Sequence, residues 1–467
     1  MPGIAHIGFD FGSSLIKVAV RLQDVGEQGA GASFGVVLDG TEPSSRYRMF
    51  RKTSISVIGD GPRRQICLRG SPARSRRFDG LKEVLLPGFE SNNTALLSQE
   101  FGKTGLSRLQ AAALLTVSVL DDVRKAMILY CRERGLTKPD TILINCAVPS
   151  SETMMIDTND ALAETHCPFR NGFAALVERC RRFVFIDGQR IPRDPIGLPD
   201  AINTAHRILS ITLPEQAGSS GTTCIPEALA AVVAAIRHPG FRDGLFFVFD
   251  VGAFTTDASL FFFHPHEPYK VMCYYGIGTC LAGVGRDTDS RGSLEPENAM
   301  VMQSKVGSLY QQMIDAMNAQ HGQLFRVLFK HTPRTNTPRW QPILLGGGAE
   351  VEQVKQIIAG LCVGSPADDA YRIAPHAYPP KTFPLDNFAS VVFVNSTNEN
   401  QRVFSRTDLR TPARYNEYCE ALVHPSHILQ LAIGLSSPVF EYPMWSAAEL
   451  PPDQRRRYFY DVDTADH

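Results

Sequence analysis

Two segments of this chain repeat a pattern that few folds accommodate twice. Residues 7–20 read IGFDFGSSLIKVAV and residues 246–261 read FFVFDVGAFTTDASLF. Each is an apolar run, then Asp-x-Gly (Asp10 and Gly12; Asp250 and Gly252), then small hydroxyl residues, then a second apolar run. Such a run predicts a β-hairpin with an acid at its mouth and a tight turn rich in donors. Two of them facing one another would clamp a polyphosphate and its metal from both sides. The expectation is therefore a two-lobed, nucleotide-binding chain.

The bulk numbers agree with a large globular body. A chain of 467 residues makes room for two large domains or one bilobed body with ample core. A formal net charge of −1 offers no global attraction to nucleic acid or to a membrane surface, and neither is expected as a partner. The arginine-rich stretch from Arg63 to Arg77 is the local exception, read as a solvated loop or as a site for a phosphate or acidic partner. The 10 cysteines are scattered without a Cys-x-x-Cys pair, which argues against a zinc site or a disulfide framework. That usage, an N-terminus without a signal-peptide pattern and the lack of a long apolar run lead to a soluble, cytoplasmic expectation.

Further along, a Gly-rich connection (26–35) leads to a second strand pair reaching Leu68, and 71–105 is turn-rich and polar. The spacing of Leu109, Ala112, Leu115, Val119, Val123, Met127 and Tyr130 predicts a helix over 107–134, followed by a buried strand at 141–148. Alternation of this kind indicates layered α/β architecture. Residues 150–224 include an expected helix (173–182), a strand-like 182–186 and a flexible 218–221. A small-residue helix at 225–236 has Pro226 at its start, where a missing amide costs little. Helices are also expected over 297–320 and 427–436, strands at 342–345 and 391–394, and turns through most of 365–420. The tail after Pro438 is expected to fray.

Five pieces in this order resemble the actin-like ATPase superfamily, which includes actin, sugar kinases and DnaK-type heat-shock chaperones. Phosphate 1, connect 1, phosphate 2, the adenosine motif and connect 2 correspond to 7–20, 225–236, 246–261, 342–350 and 427–436. The resemblance implies an α/β, bilobed actin-like (ribonuclease H-like duplicated) fold with nucleotide in the interlobe cleft. Lobe I would span 1–225, lobe II 226–437 and a C-terminal tail 438–467. Within the superfamily the chain looks most like the nucleotide-binding half of a DnaK-type chaperone. Phe78-Asp79-Gly80-Leu81-Lys82 resembles the segment with that family's catalytic lysine, the strand ending in Val148-Pro149 resembles another of its signatures, and 278–283 resembles its Leu-Gly-Gly turn.

The departures are informative. Ala253 and Phe254 replace two glycines of phosphate 2, and glycine there lets backbone approach phosphate closely. Ile225 takes the place of the chaperone's glutamate in connect 1, with Glu227 following Pro226. The interval from Gly283 to Gly346 is short, implying a reduced subdomain on the adenine side. Residues 438–467 leave no room for a peptide-binding β-domain.

The resemblance implies bound ATP and Mg²⁺. Gly12, Ser13 and Ser14 would supply donors to phosphate, with Lys17 as a point charge on it; alternatively Lys17 ends a strand on the solvent side. Asp10, Asp250 and Asp257 would surround hydrated Mg²⁺, with Asp250 or Asp10 positioning the attacking water; a lone acid after a strand otherwise caps a turn. Gly252, Thr255 and Thr256 would meet the γ-phosphate, although threonine also simply favours strands. Gly346, Gly347 and Gly348 would approach ribose and adenine. Glu227 would orient water or cap its helix, and Lys82 is a further catalytic candidate. The expected activity is slow ATP hydrolysis used as a conformational switch read by an unidentified protein partner. A small-molecule kinase, a non-hydrolysing scaffold and a filament-forming relative are the alternatives.

Overall fold

The computed structural model describes residues 3–23, 33–38, 50–70, 72, 74–82, 103–148, 168–191, 194–213, 221–236, 244–264, 271–280, 282–284, 294–330, 341–362, 390–393, 402–405, 426–438 and 444–446. They form a mixed α/β protein of two compact units. The first comprises 1–148, 165–225 and 384–438; the second comprises 149–164, 226–383 and 439–467. Residues 384–438 thus group with the N-terminal part of the chain, whereas the sequence placed most of them in a lobe with 226–383.

From the N-terminus the elements are β1 (Ile4–Phe11), β2 (Leu15–Gln23), β3 (Ser33–Val37), β4 (Arg51–Lys52), β5 (Ile55–Ile58), β6 (Gln65–Cys67) and β7 (Arg76–Phe78). Then come α1 (Arg108–Arg134), β8 (Thr141–Val148), α2 (Pro168–Arg181), β9 (Ile196–Gly197), α3 (Leu198–Leu209) and β10 (Thr222–Pro226). The middle of the chain forms α4 (Glu227–Ile236), β11 (Gly244–Val251), β12 (Thr256–His264), β13 (Val271–Cys280) and α5 (Pro296–Lys330). The last elements are β14 (Gln341–Leu345), α6 (Glu352–Cys362), β15 (Ser390–Phe393), β16 (Arg402–Ser405), α7 (Ser426–Leu435) and β17 (Met444–Ser446).

In the first unit a mixed sheet has the order β10-β8-β1-β2-β3-β15-β16, with β4 also paired to β2. β1 is antiparallel to β2 and parallel to β8, and β2 is antiparallel to β3. Ala5, Ile7, Phe9 and Phe11 point from β1 into one core together with α1, as the two-residue period of a strand requires. The α1 helix starts at a reciprocal capping box between Ser107 and Gln110, and Gly135 ends it at φ 64°. Its middle is buried on all sides, so each fully covered leucine there, such as Leu115, contributes about 2 kcal/mol. Of the residues that set the helical spacing, only Leu109 is exposed, at 44%.

The stretch from Arg63 to Arg77 is not one solvated loop. Two of its segments belong to a four-stranded sheet, β7-β5-β6-β9, whose inner positions Ile55, Ile66, Phe78 and Ile196 are buried. Arg69 pairs with the buried Asp122 of α1, Arg77 pairs with Asp79, and the Arg76 guanidinium lies over the Phe78 ring. Residues 182–186, strand-like in sequence, instead continue α2 as a π-helical turn. Arg124 of α1 donates to the Val184 and Gly188 carbonyls at 3.1 and 3.3 Å, satisfying acceptors at that helix end.

The second unit is built on the order β14-β11-β12-β13-β17. β11 is antiparallel to β12 and parallel to β14, and β12 is antiparallel to β13. This is the arrangement of β8-β1-β2-β3 repeated. Phe247, Phe249 and Val251 join a core with Met302, Val306, Leu309, Tyr310 and Met313 of α5. Residues 26–32 of the Gly-rich connection, 218–220, most of 365–420 and most of the tail lie outside the described residues. Among the described residues no helix is long and apolar enough to cross a membrane.

Candidate functional site

Both predicted hairpins form, and their registers match residue for residue. In the first, Asp10 lies opposite Lys17; in the second, Asp250 lies opposite Asp257. Each turn is closed by the same bond, from Gly12 N to Leu15 O (3.1 Å) and from Gly252 N to Thr255 O (2.8 Å). The acids are at the penultimate position of β1 and β11.

In the first unit Asp10 is 1% exposed and accepts a hydrogen bond from the Lys17 ammonium. A buried carboxylate needs such a partner, so Lys17 is drawn along the hairpin to Asp10 instead of pointing into solvent, and its side chain is 13% exposed. Ser13 and Ser14 are half-buried at the turn. A side chain at Gly12 would put its Cβ 2.6 Å from Leu15 O, so the turn requires glycine there. Thr53, just after β4, donates through its hydroxyl to Gly12 O (2.6 Å) and through its N–H to Ser14 O (2.9 Å). Lys82 is buried beside Leu81, past the end of β7.

Helix α7 is seated on this hairpin. A Cβ at Gly8 would come 2.0 Å from Ala432 O and 2.5 Å from Ser436 N. Asn145, the register neighbour of Gly8 on β8, donates to Leu435 O (2.7 Å), the last carbonyl of that helix, and to Ser437 O (3.3 Å) just beyond it. The glycine that permits this close approach of helix to strand lies in β1.

In the second unit Asp250 and Asp257 are 9% and 1% exposed, two carboxylates facing one another on one side of the sheet. Like charges in that position repel, so the pair suits a cation. Among the described residues no group of three or more His, Cys, Asp or Glu side chains gathers to hold a metal. The turn is fixed from below by 282–284. Thr256 donates its hydroxyl to Ala282 O (2.7 Å), Val284 N donates to Gly252 O (3.0 Å), and a Cβ at Gly283 would strike the Ala253–Phe254 peptide at 2.4–2.5 Å. Thr256 is thereby committed to the fold, while Thr255 is buried and Ala253 and Phe254 are half-buried.

The three glycines after β14 differ in what they do. Gly346 has φ 79° and a Cβ there would lie 2.3 Å from Asp250 Oδ1. Gly348 packs on Val251, at 2.4 Å from Cγ1 by the same construction, whereas Gly347 faces open space. A 3-10 turn at Gly347–Glu350 follows, and α6 begins at Glu352. Gly346 therefore leaves the room that the Asp250 carboxylate occupies. Glu227 is buried as the first residue of α4, with Pro226 closing β10 instead of entering the helix. A carboxylate there is favoured by the helix dipole.

Thr53 and Asn145 had no signal in the sequence. Each is an ordinary polar residue near a strand end, and its importance comes from carbonyls far along the chain. No model of a known protein family matches this sequence, and no curated protein matches it.

Proposed function

We infer that this protein binds ATP with Mg²⁺ and hydrolyses it slowly, as a bilobed, actin-like ATPase related to the DnaK-type nucleotide-binding domain. The observation that carries the reading is the repetition of one device in both units. An Asp-x-Gly turn closed by the same hydrogen bond sits at the end of a hairpin flanked by the same parallel and antiparallel neighbours. The same four-strand arrangement in both units supports the superfamily resemblance of the five sequence pieces.

In this reading Gly12, Ser13, Ser14, Gly252 and Thr255 offer amides and hydroxyls to phosphate oxygens, and Lys17, already paired with Asp10, adds a positive charge. Asp250 and Asp257 have the hard oxygen donors that suit Mg²⁺ held through water, with Asp10 a further water-mediated partner. Magnesium supplies neutralisation of phosphate charge. Asp250 holds the proton-accepting position for an attacking water, and catalysis is otherwise a matter of positioning. Gly347, with open space in front of it, is the glycine of its loop free to meet the nucleoside. Slow turnover follows from Ala253 and Phe254 in the phosphate turn and from Glu227 at a helix start. The nucleotide state would then be read by a partner protein as a conformational switch.

Calorimetry tests this. Wild-type protein is expected to bind one ATP–Mg²⁺ per chain, and Asp10→Ala and Asp250→Ala are each expected to abolish that binding. Unchanged binding in both variants would sink the assignment. Phosphate release is expected well below the ~10 s⁻¹ typical of enzymes. No release at all, with binding intact, would favour the non-hydrolysing scaffold to which Phe254 already points.

A further inference from the structure

We propose that Thr53 is the positioning residue of the first hairpin, turning the amides of the 12–14 loop toward a bound phosphate without touching that phosphate. The ligand in this statement rests on the ATP reading above; the clamp itself rests on hydrogen bonds within the first unit. Thr53 receives two carbonyls of the turn, Gly12 O on its hydroxyl and Ser14 O on its N–H. In a trans peptide the following N–H points opposite to the C=O. With both carbonyls turned onto Thr53, the N–H groups of Ser13 and Leu15 face away from it.

The second hairpin reaches the same end by other means. There Gly252 O is held by the backbone N–H of Val284 (3.0 Å), which directs the Ala253 N–H away. Equivalent glycine carbonyls, two residues after Asp10 and Asp250, are thus each tied down by a third segment. A coincidental bond would not be expected at both. In the first unit the donor is a side chain, so a substitution can remove it.

Thr53 is itself held. Arg51 pairs with Ile16 and Lys52 with Leu15 across β4 and β2. The buried Arg51 guanidinium donates to Ser118 Oγ (2.9 Å), Leu38 O (2.6 Å) and the Asp122 carboxylate (2.6 Å). The segment that delivers Thr53 is anchored in the core, so the clamp is stiff.

Thr53→Val keeps the shape and the N–H bond and removes the hydroxyl bond; Thr53→Ser keeps both. Binding of ATP–Mg²⁺ and of adenosine is measured by calorimetry on folded protein, and exchange of the Gly12 amide by NMR. Thr53→Val is expected to weaken ATP about 5- to 10-fold, the worth of one hydrogen bond, and to leave adenosine unchanged. Thr53→Ser is expected to bind as wild type. Gly12 N–H, whose bond to Leu15 O closes the turn, is expected to exchange faster in Thr53→Val and at the wild-type rate in Thr53→Ser. Equal losses for ATP and adenosine, or no loss for either, would overturn the proposal. If the wild type binds no ATP, the nucleotide reading falls and Gly12 exchange decides the clamp alone: faster exchange rescued by serine upholds it, and an unchanged rate overturns it.

Discussion

The first hairpin sets a lysine opposite its acid, and the second sets an acid opposite its acid. Everything else about the two turns is closely matched: the register, the closing bond from the glycine N–H, and the parallel strand beside each acid. Asp10–Lys17 is electrically complete within the protein. Asp250–Asp257 sets two carboxylates opposite one another, a pairing that a nearby cation would stabilise. The same backbone device, used twice, thus carries two different charge pairs. The helices on the hairpins differ in a parallel way. In the first unit α7 approaches a glycine, Gly8, and its terminal carbonyls are received by Asn145. In the second unit the equivalent strand residue is Val248, and the small side chains, Ala228, Ala230 and Ala231, lie on α4 instead.

The largest effect that would test this comparison is at Gly8. Gly8→Ala drives a Cβ into the backbone of α7 and is expected to cost about 3 kcal/mol or more, measured by urea unfolding. At the equivalent Val248, Val→Ala only opens a small cavity, and about 2 kcal/mol is expected. A cost below 1 kcal/mol for Gly8→Ala would mean that α7 is not seated on β1.

Next come the charges. Lys17→Met leaves the buried Asp10 carboxylate without its ammonium, and with Lys17 partly solvated the expected loss is roughly 2 kcal/mol at neutral pH. Asp257→Asn is expected to have the opposite sign in metal-free buffer, a gain of about 0.5–1 kcal/mol from relieved repulsion. Two changes of the same sign would break the contrast between the hairpins.

A smaller effect sharpens the ligand argument. Millimolar Mg²⁺ is expected to raise the unfolding midpoint of the wild type by an amount worth about 1 kcal/mol and to leave Asp257→Asn unmoved. An equal rise in both would place the cation elsewhere. The least effect is expected at Gly347, where alanine enters open space and should alter stability by less than about 0.5 kcal/mol. If ATP binds less tightly to Gly347→Ala while stability holds, that glycine meets the nucleotide.

Several elements were legible before any coordinates. The α1 helix is written in the spacing of its apolar residues from Leu109 to Tyr130, and both hairpins in apolar runs flanking Asp-x-Gly. Residues 182–186 were not, because Phe183, Val184, Phe185 and Ile186 are strand formers by local preference. What keeps them helical is tertiary: Arg124 receives their carbonyls, and Phe183 and Val184 pack into the first core. Arg69, just past β6, and Arg77 of β7 misled for a similar reason, since a charged residue beside a strand core looks like loop until its partner, Asp122 on α1 or Asp79, is placed.

At the site itself, sequence alone determined which residue types would stand at the two turns and that they would stand there twice, because hairpin chemistry is local and written in consecutive residues. Tertiary structure alone decided that Lys17 serves Asp10, that Gly346 rather than Gly347 makes way for Asp250, and that Thr53 and Val284 hold the turns. The contacts of Thr53 and Val284 join segments tens of residues apart. Their partners are backbone carbonyls that every residue possesses, so no pattern of side chains could announce them.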